Sequence, residues 1–109
     1  MYLNAQSISA NDAASHIGEK VTVCGKVFGG RYFDKNDKTL LNVGAVYPDN
    51  PLTIVIEGAD RKKFSFKPED KFLNKEVCVT GEVKEFKGKA EIQVTEVSQI
   101  VIKEEAAKN

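Results

Sequence analysis

The chain carries one seven-residue pattern twice, VTVCGKV at 21–27 and VCVTGEV at 77–83, and both read VxVxGxV. With a constant offset of 56, Val21, Val23, Gly25 and Val27 superimpose on Val77, Val79, Gly81 and Val83. Valines at every second position have the period of a strand with one face in a core, and their branched Cβ suits extended backbone. The glycine adds no side chain to that face. Two strands with a gap at the same place imply a tightly coiled sheet, where small residues relieve crowding as the wall curves. The pattern is too short to imply a duplication, since each half lacks the other's flanking elements.

The remaining segments fill in around these two strands. SISANDAASHIGEK reads as a short helix over about 9–17, with Ser9 or Asn11 as N-cap, Gly18 as terminator, and Ile8, Ala13, Ala14 and Ile17 on one small apolar face. The first VxVxG strand continues through VFGGRYF to residue 33, long for a strand, so Gly29-Gly30 is read as a bulge or bend. After the polar turn DKNDK, the runs KTLLNVGAVY and LTIVIEG give two more strands, joined by the turn chemistry of YPDNP. ADRKKFSFKPEDKFLNK breaks the alternation and reads as a loop with a short helical turn near Pro68 to Phe72. A hairpin over 76–87 and 89–95 turns at Lys87-Gly88-Lys89; the apolar run QIVIK follows, and then a polar tail over 103–109, expected to fray.

A length of 109 residues fits one domain, read as a single module over 1–109. Sixteen Lys plus Arg balance sixteen Asp plus Glu, so no global field draws the chain to nucleic acid or an anionic membrane, and recognition must rest on local clusters. No apolar run is long enough to span a bilayer, so no membrane insertion is expected. Cys24 and Cys78 fit neither a zinc motif nor a CxxC redox pair; they form one disulfide if the chain is exported, or serve as two small buried thiols. The first residues carry no intact signal peptide, although Ala5-Gln6 would suit a chain whose leader had been removed. Localisation therefore stays open: cytoplasmic for a nucleic-acid binder, periplasmic or secreted if a leader was cleaved.

VTVCGKVFGGRYF, LLNVG, LTIVIEG and EVCVTGEVKEFKGKAEIQV with its closing QI resemble, in order and spacing, the anticodon-binding type of OB-fold nucleic-acid-binding domain. The resemblance covers about residues 20–102. It implies an all-β, five-stranded Greek-key barrel, with the short N-terminal helix outside it and the helical turn between strands 3 and 4. It also implies where a ligand would lie: on strands 2 and 3, between the loop after strand 1 and the loop between strands 4 and 5.

Both loops hold a local excess of cations interleaved with aromatics, the ingredients that grip single-stranded phosphates and stack bases. From the first come Arg31, Tyr32, Phe33 and Lys35, and from the second Phe86, Lys87 and Lys89. Asn42 and Thr53, on the strands of the ligand face, could bond base edges or sugars. The blander assignment makes Phe28, Phe33 and Phe86 plugs of the barrel ends and the lysines solvated loop residues. The basic run RKKFSFK is read as a solvated connector, and His16 as a structural or solvated surface histidine. No nucleophile, phosphate-loop, metal or dinucleotide motif occurs, so neither catalysis nor a cofactor is expected. The expectation is an accessory module for single-stranded DNA or RNA with low sequence preference; the alternative is an exported domain for a protein or small ligand.

Overall fold

The structure, a computed structural model, describes residues 7–103. The expected processed start at Ala5-Gln6 and nearly all of the polar tail lie outside the described residues. The strands are β1 (Ser7–Ser9), β2 (Lys20–Phe33), β3 (Lys38–Val43), β4 (Leu52–Glu57), β5 (Glu76–Phe86), β6 (Lys89–Gln93) and β7 (Ile100–Ile102). Two single-turn helices, α1 (Gly58–Arg61) and α2 (Pro68–Lys71), lie between β4 and β5, and 3₁₀ turns cover Ala10–His16 and Val97–Gln99.

The two VxVxGxV segments pair with each other. β2 runs antiparallel to β5 from Lys20↔Glu82 to Lys26↔Glu76, which sets Gly25 opposite Val77 and Gly81 opposite Val21. Each glycine therefore faces a valine of the other copy, and Val23 and Val79 meet between them, fully buried. The missing side chains admit neighbours from elsewhere in the core. A Cβ on Gly25 would come within 2.9 Å of Val43 Cγ1, and one on Gly81 within 2.8 Å of Ile92 Cγ2, closer than real Cβ contacts come. The other side of the pair is a polar ladder of Lys20↔Glu82, Thr22↔Thr80, Cys24↔Cys78 and Lys26↔Glu76. The Thr22 and Thr80 hydroxyls are 2.7 Å apart, and the two cysteines are joined in a disulfide.

Beyond this stem the two strands part. β2 is irregular between Val27 and Gly29, where the glycine pair had implied a bulge, and then pairs with β3; β5 turns from β2 to β6 at Val83. β3 pairs antiparallel with β4, and β4 parallel with β6, so the pairings lead from β2 through β3, β4, β6 and β5 back to β2. The enclosed core is aliphatic: Val27, Leu41, Val43, Leu52, Ile54, Ile56, Val83 and Ile92 are all at most 1 % exposed.

The expected five-stranded Greek-key barrel is corrected by this arrangement. The strands form one seven-stranded mixed sheet in the order β1-β2-β3-β4-β6-β5-β7, with parallel pairings at β1–β2 and β4–β6. β1 and β7 escape a reading by alternation because each has three residues, too few to display a period. Local details shift as well. The N-terminal helix is a 3₁₀ turn that buries Ala10 and Ala13 but leaves Ala14 and Ile17 exposed, so its apolar face is smaller than expected. α2 lies where the proline-led turn was placed, whereas α1, ahead of it, had no proline or cap to announce it. The hairpin turn follows its sequence: Lys87 and Gly88 take φ of 52° and 80°, the left-handed pair of a two-residue type I′ turn.

The disulfide bridges a sequence separation of 54 residues and ties the stem in the unfolded chain as well. Replacing both cysteines, Cys24→Ser with Cys78→Ser, is expected to lower unfolding free energy by about 2–4 kcal/mol in a urea titration. An unchanged midpoint would show that the ladder holds without the bond.

Candidate functional site

The outward residues of the sheet are set by alternation from the buried ones. With Thr39, Leu41 and Val43 inside, β3 turns Lys38, Leu40 and Asn42 outward; with Leu52, Ile54 and Ile56 inside, β4 turns Thr53, Val55 and Glu57 the same way. Strand register then assembles three cross-strand rows. Gly29, Asn42, Thr53 and Glu91 form one, Arg31, Leu40, Val55 and Gln93 the next, and Phe33, Lys38 and Glu57 the last. Lys84 and Phe86 extend the surface from β5. Three adjoining concavities on this surface all include Leu40, so they make one groove with a partly apolar floor.

Aromatic rings stand around the groove. Phe33 is 38 % exposed, Phe86 55 % and Tyr47 74 %. Each has a cation close by: Arg31 lies 5.0 Å from the Phe33 ring centre, Lys87 5.3 Å from Phe86 and Lys89 5.7 Å from Tyr47. The cations lining the groove, Arg31, Lys38, Lys84, Lys87 and Lys89, outnumber the carboxylates of Glu57 and Glu91. One pair is internal, with Lys38 Nζ 3.7 Å from Glu57. Glu91 is held above the usual carboxylate range mainly because burial disfavours its charge, with Lys38 pulling the other way.

The expected residues divide between groove and framework. Arg31, Phe33 and Asn42 share one part of the groove, and Asn42, Thr53, Phe86, Lys87 and Lys89 share another. Tyr32, between Arg31 and Phe33, points the other way by strand alternation. Its hydroxyl donates to Asp37 Oδ1 at 2.6 Å, which raises its pKa, and the Arg61 guanidinium lies 4.1 Å over its ring. Lys35 is at the exposed tip of the β2–β3 loop and lies outside the groove, although its neighbour Asn36 lines it. Thr53 is buried, and its hydroxyl already accepts from Asn50 Nδ2 at 2.8 Å. The Lys89 ammonium donates to the Pro48 and Asn50 carbonyls and to Asn50 Oδ1, so it fastens the β3–β4 loop to β6.

Two of the four cations in the basic run 61–67 are engaged within the fold, while Lys62 and Lys67 are exposed. Arg61 meets Glu69 at 2.6 Å, and Lys63 lies 3.3 Å from both Asp60 and Glu96. Phe64, Phe66 and Phe72 pack together, with ring centres 5.6 to 6.4 Å apart. His16 sits on the 3₁₀ turn, 2.8 Å from Glu19, and does not line the groove. Sequence reasoning missed Tyr47, Leu40, Glu91 and Gln93. Period-2 counting out from Asn42 and from buried Ile92 would have found Leu40, Glu91 and Gln93, whereas Tyr47 belongs to an irregular turn with no period to follow.

No protein-family model and no curated protein matches the sequence. Solved structures do share the fold. A chain assigned as an aspartyl-tRNA synthetase from Leishmania major Friedlin aligns over 94 % of this chain at 11 % identity and a TM-score of 0.58. Asparaginyl-tRNA synthetase from Pyrococcus horikoshii aligns over 87 % at 17 % identity and a TM-score of 0.59. The alignments span only 21 % and 22 % of those proteins, so the likeness is to about a fifth of each. Among the described residues, no group of three His, Cys, Asp or Glu side chains is placed to hold a metal, and no helix is long and apolar enough to cross a membrane.

The position of Glu91 has a consequence for stability. Well below the ordinary carboxylate pKa its side chain is neutral in the folded and unfolded chain alike. As pH rises, the unfolded chain loses that proton first, so ionisation favours unfolding, and the penalty is complete above the raised folded value. Glu91→Gln should therefore melt higher than the parent near pH 7 and at the same temperature near pH 3; a lower midpoint near pH 7 would contradict the assignment.

Proposed function

We propose that the chain is a non-catalytic, OB-like module that binds single-stranded nucleic acid in the groove across β3, β4 and β6. The observation that carries this reading is the ring of exposed aromatics, Phe33, Tyr47 and Phe86, each beside a cation, around a strand-built groove. Rings offer stacking surfaces to bases, and cations track the phosphates. Of the nine residues singled out from sequence, Arg31, Phe33, Asn42, Phe86 and Lys87 are assigned direct contact. Thr53 and Lys89 shape the floor and rim, Tyr32 braces the β2–β3 loop, and Lys35 contributes only long-range charge. The fold shared with parts of two aminoacyl-tRNA synthetases is consistent with an RNA ligand.

The groove sets five cations against two carboxylates and the chain has no net charge, so affinity should be modest and should fall as salt rises. The alternative, an exported domain for a protein or small ligand, has one observation in its favour, the Cys24–Cys78 disulfide, because such bonds persist in oxidising compartments. Intact mass after alkylation without reductant checks that support: an unmodified chain is expected, and two alkylated thiols would remove it.

Fluorescence anisotropy with labelled single-stranded oligonucleotides tests the main reading. Binding should weaken as salt rises, and Phe86→Ala should cost about 1–3 kcal/mol, the loss of one stacked base. No binding at tens of micromolar protein in low salt would refute it.

A further inference from the structure

The centre of the groove holds two polar side chains that the fold leaves uncommitted. Asn42 on β3 and Glu91 on β6 lie in one cross-strand row, separated only by Thr53. Thr53 is short and buried, with its hydroxyl engaged by Asn50, so it forms a low floor between two taller neighbours. The Asn42 amide has no hydrogen-bond partner among the described residues. Glu91 is half-buried and its carboxylate makes no hydrogen bond or ion pair among the described residues, although Lys84 stands opposite it in the β5–β6 register and Lys38 lines the same concavity. A carboxylate in this position does not serve phosphate binding, because it repels the backbone that the surrounding cations attract. An unpartnered acceptor with partial desolvation is instead suited to an N–H donor from a ligand.

The spacing suits the edge of a base. Two strand intervals separate the Asn42 and Glu91 backbones by about 10 Å. The hydrogen bonds of a Watson–Crick edge run side by side and closer together than that, so the Asn42 and Glu91 side chains reach one base by leaning inward over the short Thr53. Leu40 and Tyr47 line the same part of the groove and offer apolar surface beside that edge.

We propose that Glu91 and Asn42 make this groove selective for cytosine and guanine, the bases with an exocyclic amine at one end of the Watson–Crick edge and a carbonyl at the other. This rests on the reading that the groove takes single-stranded nucleic acid. The amine donates to the Glu91 carboxylate, and the Asn42 amide N–H donates to the carbonyl. Uracil and thymine bring a carbonyl against the carboxylate, oxygen against oxygen, and are rejected by repulsion. Adenine satisfies Glu91 but offers Asn42 no carbonyl. Hypoxanthine keeps the carbonyl and loses the amine.

The test compares otherwise identical oligonucleotides carrying a single variable base in an oligo-dT context, read by anisotropy at fixed low salt. Cytosine over uracil and guanine over hypoxanthine should each be preferred about tenfold, the scale of base discrimination by a good hydrogen-bonded pair. In Glu91→Gln the side-chain amide can donate to a carbonyl as readily as its oxygen accepts from an amine, so the cytosine-to-uracil ratio should fall to near one; guanine over hypoxanthine should shrink but persist, because hypoxanthine offers that position only a C–H, and the protein stays folded. In Asn42→Ala, affinity for both favoured bases should drop and cytosine should still exceed uracil. Equal binding of all bases by the parent chain, or ratios unchanged in Glu91→Gln, would overturn the selectivity and leave the groove as a non-specific strand binder. No binding of any oligonucleotide would overturn the functional reading and this inference with it.

Discussion

The pairing of β2 with β5 is the constraint from which the rest of the fold follows. It joins two stretches 56 residues apart and buries valines on one side. On the other side it sets Lys against Glu at both ends of a threonine rung and a disulfide. Each strand is longer than the stem, and the excess diverges: β2 carries Arg31 and Phe33 away with β3, and β5 carries Lys84 and Phe86 away with β6. The two arms become opposite walls of the groove, with β3 and β4 crossing between them.

The charges of the chain are arranged economically. A globally neutral protein that gathers cations in one groove must carry an excess of carboxylates over the rest of its surface, and within that remainder Arg61 pairs with Glu69 and Lys63 with Asp60 and Glu96. Arg61 also lies over Tyr32, whose hydroxyl holds Asp37, and a Cβ at Gly58 would overlap the Asp37 carboxylate. The α1 segment is thereby packed against the end of the β2–β3 hairpin, which carries Phe33 into the groove. Residues that look like ligand contacts in the sequence, Tyr32 and Lys89 among them, thus act on the loops that frame it.

Much of this was legible without coordinates, and the exceptions have physical causes. The long strands, the glycine-linked irregularity in β2, the Lys87-Gly88 turn and α2 follow from alternation, backbone preference and proline placement. The closing of β2 on β5 was not deduced from the repeat, although the position of each glycine opposite the other's valine is what makes the two copies fit. Strand count and sheet type were misread because β1 and β7 are three residues long and because a parallel β4–β6 pairing leaves no local signature. In the groove, Arg31, Phe33, Asn42 and Phe86 were legible as loop aromatics, loop cations and outward strand positions. Glu91 and Tyr47 were not: a carboxylate does not suggest affinity for a polyanion, and Tyr47 owes its place to the loop that Lys89 ties down.

In the proposed function one face of the sheet receives a single strand and the opposite ladder does not. Backbone amide NMR during titration with an unlabelled oligonucleotide tests it directly. Shifts should concentrate at Gly29, Arg31, Leu40, Asn42, Val55, Phe86 and Glu91, while Thr22, Cys24, Cys78 and Thr80 stay unchanged. Shifts centred on the threonine–cysteine ladder, or spread evenly over both faces, would contradict the account.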